Sequence, residues 1–471
     1  MNLPSDFIAY THALLGDANY GELVEALKLD SPVSIRLNRL KTTNDLTNNL
    51  QPVPWCATGY YLPERLTFTF DPLFHAGSYY VQEASSMFLD RVLRQYIQEP
   101  VVMLDLCAAP GGKSTNACSA LPEGSLLVAN EVIRSRSKIL VENLTKWGSP
   151  NIVVTNNDPA DFSDLPSFFD VILADVPCSG EGMFRKDATA IEEWSLNNVE
   201  ICRQRQQRII ADIWPSLKPG GILIYSTCTY NTKENEENIH WIQQEFGAIS
   251  LKVDVSDEWN ITDNLLGLDF PVYRFLPYRT RGEGFFLAVL RKPEEDSSVQ
   301  SFSTSRKSIF KKDKGSKKDS SFKQFVESIK GWLVNQEEYQ LSENAGFISA
   351  FSKQYVEELN ILQRGLRIVH AGVPLGQIKG KDIIPAHGLA MNQLLCLDRF
   401  PCEEVTYEQA ITYLRKETVS ISETAPRGYV LLKYKNVPLG FVKNIGNRSN
   451  NLYPQEWRIR SGYLPQDIRI L

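Results

Sequence analysis

The sequence has no run near the ~20 apolar residues that a bilayer crossing requires, so no membrane-spanning helix is expected. Its start, MNLPSDFIAYTHALLGD, lacks a basic flank leading into a long apolar segment. No secretory signal is expected from it, and the chain reads as cytoplasmic. The eight cysteines, at 56, 107, 118, 178, 202, 228, 396 and 402, include no CxxC pair, and the five histidines are scattered. That spacing argues against a metal site, and without export the thiols are expected to be reduced. Positive charge is not in excess: 50 Lys and Arg against 56 Asp and Glu leave a net charge of −6. A globally basic nucleic-acid binder is therefore excluded, although local basic patches are not. With 43% hydrophobic and 23% charged residues, wholesale disorder, collagen and a coiled-coil rod are excluded too. The 471 residues suggest about three domains at ~150 residues each.

Periodicity divides the chain into 1–95, 96–292, 293–323, 324–398 and 399–471. In the first part, Leu23, Val24, Ala26 and Leu27 fit one helical face. Ser34 to Leu40 alternates polar and apolar, which predicts a half-buried strand with cations on its open face. Residues 84–95 read as helix. From 101 to 292, apolar strands at Val101–Leu106, Leu126–Ala129, Ile152–Thr155, Val171–Ala174 and Ile222–Tyr225 alternate with helical segments. Ile209, Ile210, Ile213, Trp214 and Leu217 share one such helical face. That pattern predicts an α/β domain with a parallel sheet covered on both sides. Between 304 and 323, eight Lys or Arg stand against two Asp, and a solvated basic linker is expected. Beyond it, Val373-Pro374-Leu375-Gly376 recurs as Val437-Pro438-Leu439-Gly440, each after an apolar run (366–369 and 429–432). Two similar β-hairpins are predicted. From 427 to 471, eight Lys or Arg against two acids interleave with Tyr434, Tyr453, Trp457 and Tyr463. Cations for phosphate and rings for splayed bases suit RNA.

The turn after the first of these strands carries the first chemical signal: Cys107-Ala108-Ala109-Pro110-Gly111-Gly112-Lys113. A glycine-rich strand-to-helix turn lets a ligand approach the backbone. A P-loop would need glycine where Cys107 stands, and a G-x-G-x-x-G fingerprint is absent. What remains suits S-adenosylmethionine, whose amine and carboxylate need polar groups rather than a phosphate cradle. Acids close the following strands. Glu131 is placed to accept two ribose hydroxyls, Asp158 to receive an adenine amino group, and Asp175 closes the fourth strand. Acids at successive strand ends line the crevice where open α/β sheets bind ligands. Two cysteines join them: Cys178 follows the fourth strand in DVPCSGEG, and Cys228 follows the fifth in YSTCT.

These stretches carry a resemblance. CAAPGGK at 107–113, DVPCSGEGMFRKD at 175–187 and YSTCTYNTKENE at 225–236 resemble the Nol1/Nop2/Sun family of RNA cytosine-C5 methyltransferases. SIRLNRLK at 34–41, YYVQEASSM at 79–87 and GEGFFLAVL at 282–290 follow in the same order. The tail, with LRIVHAGVPLGQIKG and RGYVLLKYKNVPLGFVKN, is similar to bacterial members acting on small-subunit ribosomal RNA. The resemblance implies a class I (Rossmann-like) S-adenosylmethionine-dependent domain, an N-terminal RNA-facing extension and a C-terminal PUA-like RNA-binding region. It implies 16S ribosomal RNA, in the decoding-region helix of the 30S subunit, as substrate. Transfer RNA or 23S ribosomal RNA is the nearer alternative; a non-catalytic ribosome-assembly factor is the more distant one.

The chemistry accounts for two sulfurs and an acid. C5 of cytosine is a poor nucleophile until a thiolate adds at C6. The residues alone leave open which sulfur attacks. Cytosine-C5 DNA methyltransferases use the cysteine of a Pro-Cys pair, which here is Cys178; the resemblance implies Cys228 as nucleophile and Cys178 as the residue aiding release. Asp175 would hold the cytosine at N3 and N4. Lys113 would support the cofactor side or act as a cation beside a thiol. Arg185, Lys186, Arg203, Arg205 and Arg208 are candidates for guiding the RNA strand.

Overall fold

The computed structural model describes residues 2–42, 47, 49–294 and 318–471, with side chains from 322 onward in the last stretch. Most of the basic linker expected at 293–323, residues 295–317, lies outside the described residues; its last part, from Lys318, already belongs to a helix, Lys318–Ser328.

The centre is a nine-stranded sheet. Five parallel strands run side by side in the order Ile152–Thr155, Leu126–Asn130, Val102–Asp105, Phe169–Asp175 and Leu217–Thr227. Phe285–Arg291 adds antiparallel to the last of these and carries Ile249–Ser250 and Tyr273–Phe275 at its edge. All five predicted strands are present in that parallel array. Their apolar runs are continuous because both faces are covered. Leu104, Val128, Ile172 and Leu223 pack on one side against the helices Leu196–Ile213 and Glu236–Phe246. Met103, Leu127, Leu173 and Ile224 pack on the other, beneath Phe88–Tyr96 and Gly112–Ala120. Each such buried side chain contributes roughly 1.5–3 kcal/mol. The strand period of two thus supplies two cores from one run of sequence.

Ser34–Leu37 does form a strand, in a four-stranded sheet with Gln51–Val53, Cys56–Tyr61 and Tyr79–Val81. Its cation is not on an open face. Arg36 is fully buried: Nε donates to Gln82 Oε1 at 2.9 Å and a terminal nitrogen to Thr115 Oγ1 at 2.5 Å, with the Trp147 ring 4.3 Å away. Burial pulls its guanidinium down to about 10. A buried cation with neutral acceptors and an aromatic face pins this sheet to the helices Gly112–Ala120 and Arg134–Trp147. Arg39, by contrast, is exposed.

The Pro-Leu-Gly repeat is structural, but only one copy makes the predicted hairpin. Gly428–Tyr434 pairs with Val437–Asn444 as expected. The first copy, Val373–Lys379, pairs instead with Phe347–Ser352 and Asp382–Pro385. The run before it, Ile368–Ala371, joins the central sheet beside Ile152–Thr155. What the two copies share is a register shift. Leu375 and Leu439 are each skipped by the partner strand and fully buried, so the same one-residue bulge drives a leucine into the core twice.

The two ends of the chain share one core. Ile35, Leu37, Phe70 and Tyr79 pack with Ile411, Tyr413, Val430, Val442 and Tyr453. The final residues close over the first part, where the Leu471 amide donates to Asp71 at 3.1 Å. Among the described residues, no helix is long and apolar enough to cross a membrane.

Candidate active site

The strand Val102–Asp105 delivers the chain to the C-terminal edge of the sheet, and the turn 107–113 follows. Gly111 there has φ +117°, outside the ordinary range of an L side chain, and begins the helix Gly112–Ala120. The turn is tied from behind: Ala108 donates to the Asn130 carbonyl at 2.8 Å, Arg136 donates to the Ala109 carbonyl at 2.7 Å, and Asn143 to that of Pro110 at 2.8 Å. In front of it lies an open cleft, lined by Asp105, Cys107, Ala108, Ala109, Pro110, Gly112, Lys113 and Asp175. Tyr80, Val81, Gln82, Glu83 and Ser86 complete the wall. All five lie in the stretch YYVQEASSM, which the sequence offered only as part of the resemblance.

Asp105 is a further residue the sequence did not single out. It is fully buried; Oδ2 accepts from Ser114 at 2.6 Å, and Oδ1 has no partner. Burial pushes its carboxyl up to about 7, assisted by the charges of Asp175 and Glu131. An unpaired buried acceptor on the wall of a cleft is costly unless a ligand's donor meets it. The ammonium of S-adenosylmethionine is such a donor, and the bare backbone at Gly112, where an added Cβ would stand 3.3 Å from the Tyr80 ring, makes a side chain there a tight fit. The residues present therefore fit that cofactor.

Glu131 is buried directly after its strand; its carboxylate accepts from the Ile133 amide at 2.8 Å, with Arg136 3.4 Å away. Asp158 is exposed at the end of Ile152–Thr155 and caps the short helix Pro159–Asp164, accepting from the Ala160 amide at 3.1 Å. Neither lines the cleft itself.

Asp175 links the cofactor turn to the cysteines. Oδ2 is 2.8 Å from Lys113 Nζ, and Oδ1 accepts from Ser226 at 2.7 Å, two residues before Cys228. Burial lowers the Lys113 ammonium, but the charge and hydrogen bond of Asp175 outweigh it, with Cys228 adding to the pull, so the net direction is upward. Lys113 is a half-buried cation beside Asp175, with Cys228 within its electrostatic reach.

The two sulfurs meet. Cys178 Sγ and Cys228 Sγ are 3.0 Å apart, and the Cys228 amide donates to Cys178 Sγ at 3.3 Å. Both residues are half-buried. The Cys178 thiol is raised well above the ordinary range, first by its hydrogen bond with Cys228, then by burial and the charges of Cys228 and Glu234. Burial raises the other thiols of this region as well. Burial pushes Cys118 to about 12 and Cys202 to about 11, and holds Cys107 protonated. Glycines allow the two cysteine loops to close. A Cβ on Gly182 would stand 2.6 Å from the Gly284 carbonyl and 2.8 Å from that of Cys228. Behind them lie carboxylates inside the quoted motifs whose roles the sequence did not reveal. Glu181 accepts from the Tyr230 and Asn231 amides at 2.6 and 2.9 Å, and Glu234 from the Ser179 amide at 3.0 Å.

The cations proposed to guide RNA are mostly committed elsewhere. Arg185 is buried against Glu283 at 2.8 Å, and Lys186 lies 3.6 Å from the same acid. Arg203 pairs with Glu200 at 2.8 Å and Arg208 approaches Asp212 at 4.0 Å, while Arg205 has no ion pair among the described residues. In the tail, Tyr434 and Tyr453 are core residues rather than stacking platforms, and Trp457 is half-buried; Tyr463 alone of the four is exposed, at 87%. Lys443 is held by Asp382 at 2.7 Å.

Comparison with known proteins agrees with this layout. Residues 92–291 match the family model of 16S rRNA methyltransferase RsmB/F. Residues 3–84 match the N-terminal domain of 16S rRNA methyltransferase RsmF, and 400–459 its PUA domain. Ribosomal RNA small subunit methyltransferase F of Aliivibrio fischeri is 31% identical over 98% of each chain. That of Pectobacterium atrosepticum is 30% identical over 97% of this chain and 96% of its own. Among solved structures, a methyltransferase homologue from Pyrococcus horikoshii is 28% identical with a TM-score of 0.53, over 61% of this chain and 95% of its own. NSun6 from the same organism, at 21% identity and a TM-score of 0.53 over 62% of this chain and 99% of its own, shares the fold. The chain belongs to the ribosomal RNA small subunit methyltransferase F family, and it is an S-adenosylmethionine-dependent methyltransferase of class I fold with a C-terminal PUA domain.

Proposed function

We propose that this enzyme methylates C5 of a cytosine in 16S ribosomal RNA, in the decoding-region helix of the 30S subunit, through a covalent bond between Cys228 and C6. The substrate class rests on the relatives' names, and the cytoplasm, where ribosomes assemble, is where it would act. The observation that carries the chemistry is the sulfur pair at 3.0 Å, joined through Ser226 and Asp175 to the wall of the cofactor cleft.

Addition of the Cys228 thiolate to C6 makes C5 an enamine carbon that can accept a methyl group. Asp175 holds the base at N3 and N4, where charge changes as the adduct forms. After transfer a base removes the C5 proton, the C5–C6 double bond re-forms, and Cys228 leaves with its electron pair; Cys178 assists that release. Residues 107–113 would hold S-adenosylmethionine, with Glu131 toward the ribose and Asp158 toward the adenine, and the bound cofactor would supply the electrophilic methyl group. Lys113 is a cation beside a developing thiolate. Reaching C5 and C6 requires the base to leave its stack.

The test is bisulfite mapping of ribosomal and transfer RNA from a strain lacking the gene, with purified enzyme added back to its 30S subunits. A single 16S cytosine should lose protection and regain it. Loss in transfer RNA or 23S RNA would move the substrate, and no lost site at all would favour an assembly factor.

A further inference from the structure

One buried acid beside the cysteines has no part in that sequence of steps. Glu234 is fully buried. Its Oε2 accepts from the Ser179 amide at 3.0 Å and Gln206 Nε2 at 2.7 Å, and its Oε1 from Asn231 Nδ2 at 2.8 Å. One carboxyl group thus grips the residue after Cys178, the loop after Cys228 and the helix Leu196–Ile213. The orientation of each amide is fixed from its other end. Gln206 Oε1 accepts from Tyr225 and Asn238, and Asn231 Oδ1 accepts from the Glu234 amide at 2.9 Å. Glu234 therefore faces donors only, an arrangement that suits its ionised form.

The titratable groups around it are all acids. Glu181 and Cys178 face it from the neighbouring loop, Cys202 from the helix, and Tyr225 from the strand behind. Among the described residues no cation pairs with it. Burial raises it to about 7 against those hydrogen bonds, so its charge is present from neutral pH upward. The Lys113 ammonium, paired with Asp175 at 2.8 Å, interacts with Cys228.

We propose that Glu234 is a positioning residue: it fixes Cys178 beside Cys228 through the Ser179 amide and sets a carboxylate behind the Cys178 loop while Cys228 reacts. This rests on the reading above in which Cys228 attacks and Cys178 assists release. A neutral thiol at Cys178 does not compete for C6 and retains a proton for the later steps.

The experiment follows the pH dependence of Cys178 alkylation by iodoacetamide in a Cys228→Ser protein, resolved by peptide mass spectrometry. With Glu234 present, Cys178 should alkylate at higher pH than free cysteine. Glu234→Gln should speed its alkylation at pH 8 roughly tenfold, as removal of a nearby like charge requires. Glu234→Asp, which keeps the charge, should stay within about twofold of the parent at that pH. Alkylation of Cys178 like a free thiol with Glu234 intact, an unchanged rate in Glu234→Gln, or an equal acceleration in Glu234→Asp would each overturn the proposal. The first measurement needs no Glu234 variant, so misfolding of the glutamine protein leaves the proposal testable. In the protein with both cysteines, Glu234→Gln should lower kcat with little change in KM. The alkylation arms use neither RNA nor methyl donor; the methylation reading fails separately, if Cys228→Ala still methylates RNA.

Discussion

Arg274 and Glu236 offer a quantitative test of how the Cys228 loop is held. Both are buried, with side chains 1% and 0% exposed. Arg274 Nε donates to Glu236 Oε1 at 2.6 Å, a second nitrogen reaches the other carboxylate oxygen, and the third donates to the Tyr230 carbonyl at 2.6 Å. The guanidinium lies 5.4 Å from the Phe286 ring. Arg274→Met strands a buried carboxylate, which costs about 3–5 kcal/mol. For a unit of roughly 200 residues, where 1 kcal/mol moves the melting temperature by about 2–4 °C, the drop should be on the order of 10 °C. Arg274→Met combined with Glu236→Met removes both charges and leaves the Tyr230 carbonyl as the main unsatisfied group, for about 1–3 kcal/mol. The double variant should therefore be more stable than Arg274→Met alone, with a coupling energy of about 2 kcal/mol or more. Thermal and urea unfolding of the four proteins give the cycle. Additive losses, with the double variant the least stable, would refute the claim that the pair is a buried, mutually dependent unit.

Other perturbations have equally definite signs. Asp105 rises from 3.8 to about 7 on folding, so the native state holds a proton that the unfolded chain releases between these values. Stability therefore falls as pH rises through that window, by about 4 kcal/mol at most; Asp105→Asn should flatten the slope in urea midpoints between pH 5 and 8 and weaken S-adenosylmethionine binding by calorimetry. His387 has the opposite sign. Burial depresses it to about 3, first of several causes, and both ring nitrogens lack partners between the Tyr453 and Trp457 rings. The unfolded chain takes up a proton below about pH 6.5 that the native state refuses, so stability is lost as pH falls from there; His387→Phe should lower the acid-unfolding midpoint. Gly77 has φ +71°, and an added Cβ would stand 1.9 Å from the Lys146 carbonyl. Gly77→Ala should cost about 2–4 kcal/mol in a denaturant titration, from backbone conformation and overlap together.

The five parallel strands were legible because burial on both faces leaves continuous apolar runs, and the cofactor turn because excluding other glycine-rich loops left few chemistries. Asp175, Cys178 and Cys228 were legible as strand-end residues, and their meeting follows from the adjacency of Phe169–Asp175 and Leu217–Thr227. What escaped the sequence was set by distant partners. Arg36 reads as a surface cation until Gln82, Thr115 and Trp147 surround it. The run 366–369 reads as half a hairpin because nothing local announces that Ile368–Ala371 pairs with a strand more than 200 residues earlier. Tyr434 and Tyr453 alternate with cations as stacking rings would, yet the core shared by the two chain ends claims them. Glu181 and Glu234 stood in plain view inside the motifs, but acids in a charged stretch look solvated until the amides they accept from are placed.

The central claim is that the Cys228 sulfur bonds transiently to a pyrimidine while Cys178 assists its release. Cys178→Ala incubated with its target RNA and S-adenosylmethionine, then digested and mapped by mass spectrometry, tests it most directly. An SDS-stable protein–RNA adduct on the peptide containing Cys228, absent from Cys228→Ala, is the predicted result. An adduct on any other residue, or methylation that survives Cys228→Ala, would contradict it.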